Sequence, residues 1–147
     1  MFVQNKEIKA LVLDVNVPLL QVLGQNGHQK AARILYLKDQ FRLSVLVPEI
    51  SKYEFLNTAA RLIGAKNALQ AYEELIEKQV SFVPINGEII DKALQITAKY
   101  PQASYYDASY HALAQFYDIP FVTNDQKYYQ AVHRDESVKM LEDFECG

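Results

Sequence analysis

The sequence predicts an α/β fold: a three-layer α/β/α sandwich around a central, mainly parallel sheet. Three observations point there. Short apolar runs of strand length recur along the 147 residues. Segments with helical periodicity separate them, so successive strands pair in parallel through crossovers. No repeat, linker or low-complexity tract breaks the alternation, and the length fits one domain, taken as residues 1–147.

The elements follow in order. ALVLD (10–14) is a short apolar run ending in a carboxylate and suits a buried strand. A helix follows from about Val17, with Pro18 tolerated in its first turn. Gly24-Gln25-Asn26-Gly27 breaks it. His28 to Lys38 reads as a helix with Ala31, Ala32, Ile34 and Leu35 inward. RLSVLV (42–47) is the second strand. Pro48 then opens a helix that runs to Ile63 and stops at Gly64. Ala65 to Lys78 is helical, and VSFVPI (80–85) is the third strand. Gly87 to Lys99 is a helix with Ile89, Ile90, Ala93, Leu94 and Ile96 as its apolar positions, ended by Pro101. Ser104 to Tyr117 is a helix with apolar groups in almost every direction, which predicts burial. IPFVTND (119–125) is a strand and turn, 126–132 a short helix, and VKML (138–141) the last strand.

Composition narrows the function classes only coarsely. Eighteen acidic and 15 basic side chains give a net charge of −3, which neither indicates nor forbids a nucleic-acid partner. The lone cysteine, Cys146, makes no internal disulfide and no zinc quartet. No apolar run reaches the ~18 residues of a membrane span, and no secretory pattern opens the chain, so a soluble cytoplasmic protein is expected.

Four acids stand at positions where chemistry gathers in a parallel sheet. Asp14 ends the first strand and Asp125 follows the strand IPFV, so both project from its carboxyl edge. Taken singly, each is ordinary helix-cap or turn chemistry. Asp107 is the third residue after Ser104, a capping-box spacing, yet it sits in an otherwise apolar helix. His111, one turn on, faces the same way; it is not assigned to catalysis. At about 100° per residue, Glu54, Asn57 and Arg61 form one polar stripe beside Ile50 and Tyr53, while Lys52 points away. That stripe is either a solvated helix edge or a carboxylate held at the rim of the core. Acids from four segments meeting at one edge repel one another. Protonation or a divalent cation relieves that repulsion, and oxygen-only ligands select Mg²⁺ or Mn²⁺.

In order and spacing, LVLDVNV (11–17), the Glu of YEFLN (53–57), SYYDASYHALA (104–114) and FVTND (121–125) resemble the four motifs of the PIN domain. The nearest likeness is to the single-domain ribonuclease toxins of VapBC-type toxin–antitoxin pairs. The resemblance implies that Asp14, Glu54, Asp107 and Asp125 are the catalytic, metal-binding quartet. It implies supporting roles for Asn16, Ser104 and Thr123, while Asn57 and Arg61 are available to orient the site or meet a phosphate. It also implies Mg²⁺- or Mn²⁺-dependent hydrolysis of RNA leaving a 5′-phosphate and a 3′-hydroxyl, a small antitoxin partner, and homodimers in many members. The chain lacks a long basic run, which leaves RNA affinity to scattered groups: Lys30, Arg33, Arg42, Arg61, Lys127 and Arg134.

Other α/β classes fit less well. Haloacid-dehalogenase-type phosphatases need a second acid where this chain has Asn16, and receiver domains need an aspartate where RLSVLV leads to Pro48-Glu49. A PIN-type fold acting as a nucleic-acid- or protein-binding module without turnover is the alternative from a different class.

Overall fold

The computed structural model describes residues 9–23, 28–77, 79–132 and 135–144. The chain runs β1 (Ala10–Leu13), α1 (Asn16–Leu23), α2 (His28–Phe41), β2 (Ser44–Pro48), α3 (Ser51–Ile63) and α4 (Ala65–Ala71). A π-helical turn (Tyr72–Glu77), β3 (Ser81–Val83), α5 (Gly87–Lys99), α6 (Tyr105–Tyr117) and β4 (Phe121–Thr123) follow. The last elements are α7 (Gln126–Val132), β5 (Val138–Met140) and a 3₁₀ turn (Leu141–Asp143).

All strand pairs are parallel, in the order β3-β2-β1-β4-β5. The chain steps one way from β1 through β2 to β3, then returns to the other side of β1 for β4 and β5. Right-handed crossovers therefore place the connecting helices on opposite faces, giving the expected three layers. The direction reverses between β1 and β4. Their carboxyl ends frame the crevice where open α/β sheets bind ligands.

β1 is central, and Leu11, Val12 and Leu13 are fully buried, as a strand covered on both faces requires. α6 lies against it. Ala108 through Ala114 are all buried, but Tyr106 and Tyr117 near the helix ends are 54% and 48% exposed. The all-round burial read from the sequence thus holds for the middle of the helix and fails at its ends.

Several boundaries differ from the sequence reading. Pro48 does not open a helix: it closes β2, opposite Val83, and α3 starts at Ser51. The next ladder bond is donated by Glu49 N–H to Val83 O at 2.9 Å, so the missing proline N–H is not needed. Arg42 lies outside β2 with φ 52°, a left-handed turn after α2. The helix expected over 65–78 is regular only to Ala71. In α5, Ile89, Ala93 and Ile96 face the core, whereas Ile90 and Leu94 are exposed, because the buried stripe is one i, i+4, i+7 row wide. Gly64 ends α3 at φ +83°, a conformation suited to glycine. Ile34 is buried as expected. The Gly24–Gly27 break, Arg134 and Cys146, with the side chains of Lys30, Ala31 and Leu35, fall outside the described residues.

Candidate active site

Asp14 stands just past β1. Its Oδ1 accepts the backbone N–H of Asn16 at 3.0 Å, so it does cap the start of α1. Its Oδ2 accepts the hydroxyl of Thr123 at 3.0 Å, a bond that crosses from β4 to the end of β1. Thr123 is fully buried and its Oγ1 also accepts the N–H of Asp125 at 3.0 Å. One threonine therefore positions both carboxylate-bearing turns at the switch point.

Asp125 caps α7: its Oδ1 accepts the N–H of Tyr128 at 3.0 Å. Ser104 caps α6 through the N–H of Asp107 at 3.1 Å, which realises the capping-box spacing. Each bland reading of these acids is geometrically true. What the single readings omit is that the caps converge.

Glu54 comes from the first turn of α3, and its Oε1 accepts the side-chain N–H of Asn16 at 2.9 Å. Asp14, Asn16, Asp107 and Asp125 line a cavity of about 200 Å³ together with Val17 and Asn124. Glu54, Asn57, Ser104 and Asp107 line a second of about 470 Å³. Asp107 and Asp125 meet Lys127 in a third of about 510 Å³. Asp107 belongs to all three and sits at their junction. Arg61, in the last turn of α3, lines none of them, and seven residues separate it from Glu54, about 10 Å along the helix axis.

The electrostatics follow from this crowding. Burial, resisted by the Asn16 and Thr123 bonds and reinforced by the charges of Glu54 and Asp107, raises the Asp14 carboxyl from 3.8 to about 6. Burial and the charge of Asp107 raise Glu54 against its bond to Asn16. Asp107 is raised by burial and by Asp125, with Ser104 opposing. Among the described residues, no lysine or arginine forms an ion pair with any of the four.

This donor set suits a hard divalent cation: oxygen only, mutually repelling and, among the described residues, without a paired lysine or arginine. As the side chains stand, no three Asp, Glu, His or Cys groups among the described residues are arranged to hold one ion jointly. Mg²⁺ retains several waters and commonly takes only one or two carboxylates, so the site's chemistry fits without a closed cage.

The PIN domain family profile matches residues 11–133. The chain belongs to the PIN domain family. Solved structures share the fold of this PIN domain. A chain of FitAcB from Neisseria gonorrhoeae superposes with a TM-score of 0.70 at 17% identity, covering 91% of this chain and 99% of that one. VapC20 of Mycobacterium tuberculosis, a Sarcin-Ricin loop cleaving toxin, gives 0.66 at 17% identity over 84% and 95%. DNA-bound VapBC from Salmonella typhimurium gives 0.70 at 15% identity over 91% and 99%. No curated protein sequence matches.

Two features of this PIN domain escaped the sequence reading. Tyr110, one of the apolar groups of the helix over 104–117, is buried. Its ring stacks on Phe121 at 5.3 Å, and the Val15 N–H approaches its hydroxyl at 3.4 Å. Burial, then the charges of Asp14 and Glu54, push its hydroxyl far above the usual phenol range. The second is His111. It pairs with neither Asp107 nor solvent: Nε2 lies 2.5 Å from Asp135 and Nδ1 2.6 Å from the Tyr128 hydroxyl. Asp135, 24 residues away, had no local signal to announce it.

Proposed function

We propose that this PIN domain is a Mg²⁺- or Mn²⁺-dependent endoribonuclease and the toxin of a toxin–antitoxin pair, acting in the cytoplasm. The observation that carries the reading is the convergence of Asp14, Glu54, Asp107 and Asp125 on the crevice between β1 and β4, with Asp107 at the junction of the cavities. Asp14, Asp107, Asp125 and Glu54 would hold the metal. When bound, it supplies charge neutralisation at the phosphate and acidifies a bound water, so no nucleophilic serine or cysteine is required.

The chain's own groups do the positioning. Asn16 fixes Glu54 and Asp14 relative to each other, one through its side chain and the other through its backbone. Thr123 holds Asp14 and the turn of Asp125 at a constant separation. Ser104 orients the first turn of α6, and with it Asp107. An in-line attack of water at phosphorus breaks the bond to the 3′ oxygen and leaves a 5′-phosphate and a 3′-hydroxyl.

The antitoxin partner is supported by the neighbours, which include a toxin–antitoxin complex from Klebsiella pneumoniae and VapBC2 of Rickettsia felis bound to a promoter DNA fragment. A small protein encoded beside this one would cover the acidic crevice, and homodimers are proposed with it. No helix among the described residues is long and apolar enough to cross a membrane.

A second reading, a binding module without turnover, draws on the absence of a ready-made ligand group among the described residues. One experiment separates them. Structured and single-stranded RNA are incubated with Mn²⁺ and wild type, Asp14→Asn or Asp107→Asn. Cleavage by wild type that both variants lose supports the nuclease. RNA binding without cleavage supports the module, and equal cleavage by all three exposes a contaminant.

A further inference from the structure

Beside the acids lies an aromatic pair that the catalytic reading leaves unused. Tyr53 on α3 is 65% exposed and Tyr106 on α6 is 54% exposed. Both line the 470 Å³ cavity that also contains Glu54, Asn57 and Asp107. Large rings in contact with water cost apolar hydration, and here two of them share one cavity beside the acids. Tyr110 and Tyr128, by contrast, are buried. A positive group accompanies one of them: Lys52 Nζ stands 5.8 Å from the Tyr53 ring centroid and 5.4 Å from that of Phe82.

On the other side of Asp107 the chemistry changes. The cavity shared by Asp107 and Asp125 is lined by Gln102, Lys127 and Gln130 and has no exposed aromatic ring. Rings on one flank of a carboxylate and an ammonium on the other match an unpaired polynucleotide, whose bases stack while its phosphates seek cations.

We propose that Tyr53 and Tyr106 form a base-stacking subsite for single-stranded RNA on one flank of Asp107, and that Lys127 receives a phosphate on the opposite flank. This rests on the ribonuclease reading and deepens it by naming the side chains that receive the nucleotides flanking the acids. The cavity opens directly onto Glu54 and Asp107, so its occupant is continuous with whatever is held at the acids. Its size falls within the range of small-ligand pockets, enough for a base with part of its sugar. Asn57 lines the same cavity and offers an amide to the edge of the stacked base. A duplex cannot present an unstacked base there without paying to open a pair.

The test is fluorescence anisotropy with a labelled single-stranded RNA of ~10 nucleotides in EDTA, where no cleavage occurs, compared with a duplex of the same sequence. Tyr53→Ala and Tyr106→Ala are expected to weaken single-strand binding about tenfold each, while Tyr53→Phe and Tyr106→Phe retain it. An oligonucleotide with abasic sites should abolish the penalty of the alanine variants. Lys127→Gln should lower the slope of log affinity against log salt by about 0.7, and the tyrosine variants should leave that slope unchanged. Alanine variants that bind within about twofold of wild type, when wild type cleaves RNA, overturn the stacking subsite alone and leave the rings to a protein partner. Wild type that neither binds nor cleaves RNA overturns the ribonuclease reading and this inference together.

Discussion

The side-chain amide of Asn16 donates to Glu54 Oε1 at 2.9 Å, while the backbone N–H of the same residue donates to Asp14 Oδ1 at 3.0 Å. A single asparagine, exposed at the start of α1, therefore holds two carboxylates that are 40 positions apart in sequence.

Asn16→Ala removes the bond to Glu54 and keeps the bond to Asp14, which is made by the backbone. Groups that orient metal-binding carboxylates typically matter 10- to 100-fold, and a loss of about that size in kcat/KM for RNA cleavage is expected. The residue is exposed, so stability should change by less than about 1 kcal/mol. Steady-state cleavage beside a urea melt checks both; a large loss of stability would mean that Asn16 serves the fold first.

Asp14→Asn should stabilise the metal-free protein. The folded carboxyl titrates at about 6 against an ordinary 3.8, so the native state holds the proton more tightly than the unfolded chain. That contribution to stability is full below pH 3.8 and is lost as pH rises through about 6. The amide escapes the loss. Denaturant melts in EDTA should show the Asp14→Asn variant more stable than wild type by about 1–3 kcal/mol at neutral pH, with the gain vanishing near pH 4. A gain of the same size at both pH values would contradict the assignment.

Thr123→Val is nearly isosteric but removes the hydroxyl that donates to Asp14 and accepts from Asp125 N–H. In a fully buried position the loss should cost about 1–3 kcal/mol. Without that donor the Asp14 carboxylate holds its proton to higher pH, so cleavage should need a more alkaline medium than in wild type. A pH–rate profile at saturating Mn²⁺ reads the shift.

His111→Ala tests the support beneath the site. Burial raises the Asp135 carboxyl, but the Ser137 hydroxyl and N–H, His111 and Gln115 outweigh it and bring the group to about 2. Ionised Asp135 accepts Nε2–H, which leaves Nδ1 as the acceptor of the Tyr128 hydroxyl. Burial, only partly offset by Asp135, depresses the imidazole. A depressed histidine contributes stability that is present above its unfolded value of 6.5 and lost as pH falls through its folded one. His111→Ala should cost about 3 kcal/mol near pH 7.5, because it empties a fully buried ring position, leaves the Tyr128 hydroxyl without its acceptor and takes one donor from Asp135. Its deficit should shrink on acidification. A loss below about 1 kcal/mol would show that the network is ornamental.

Much of this was legible in the chain itself. The parallel alternation, the helix stop at Gly64 and the four acids are local signals, since each depends on a few neighbouring residues. The errors have physical reasons. Pro48 carries a helix-opening signal, but pairing with Val83 overrides it. Ile90 and Leu94 share the composition of a core stripe, yet α6 covers only one side of α5. His111 faces Asp107 along the helix, but its partners come from α7 and the turn before β5. Tyr110 is the same kind of case: its ring announces a core position, while its hydroxyl acquires meaning only when Asp14 and Glu54 arrive from other segments. Separation alone did not decide what could be read: the shared sheet edge of Asp14 and Asp125 follows from their strands, while the contact of His111 with Asp135, 24 positions away, has no local signal.

Catalysis as proposed requires the crevice between β1 and β4 to be a divalent-metal site. Anomalous diffraction from crystals soaked in MnCl₂ tests it most directly. A manganese peak among the carboxylates of Asp14, Asp107 and Asp125, with Glu54 in direct or water-bridged contact, is the predicted result. A saturating soak that leaves that crevice without anomalous signal, in crystals of protein that still cleaves RNA, would contradict it.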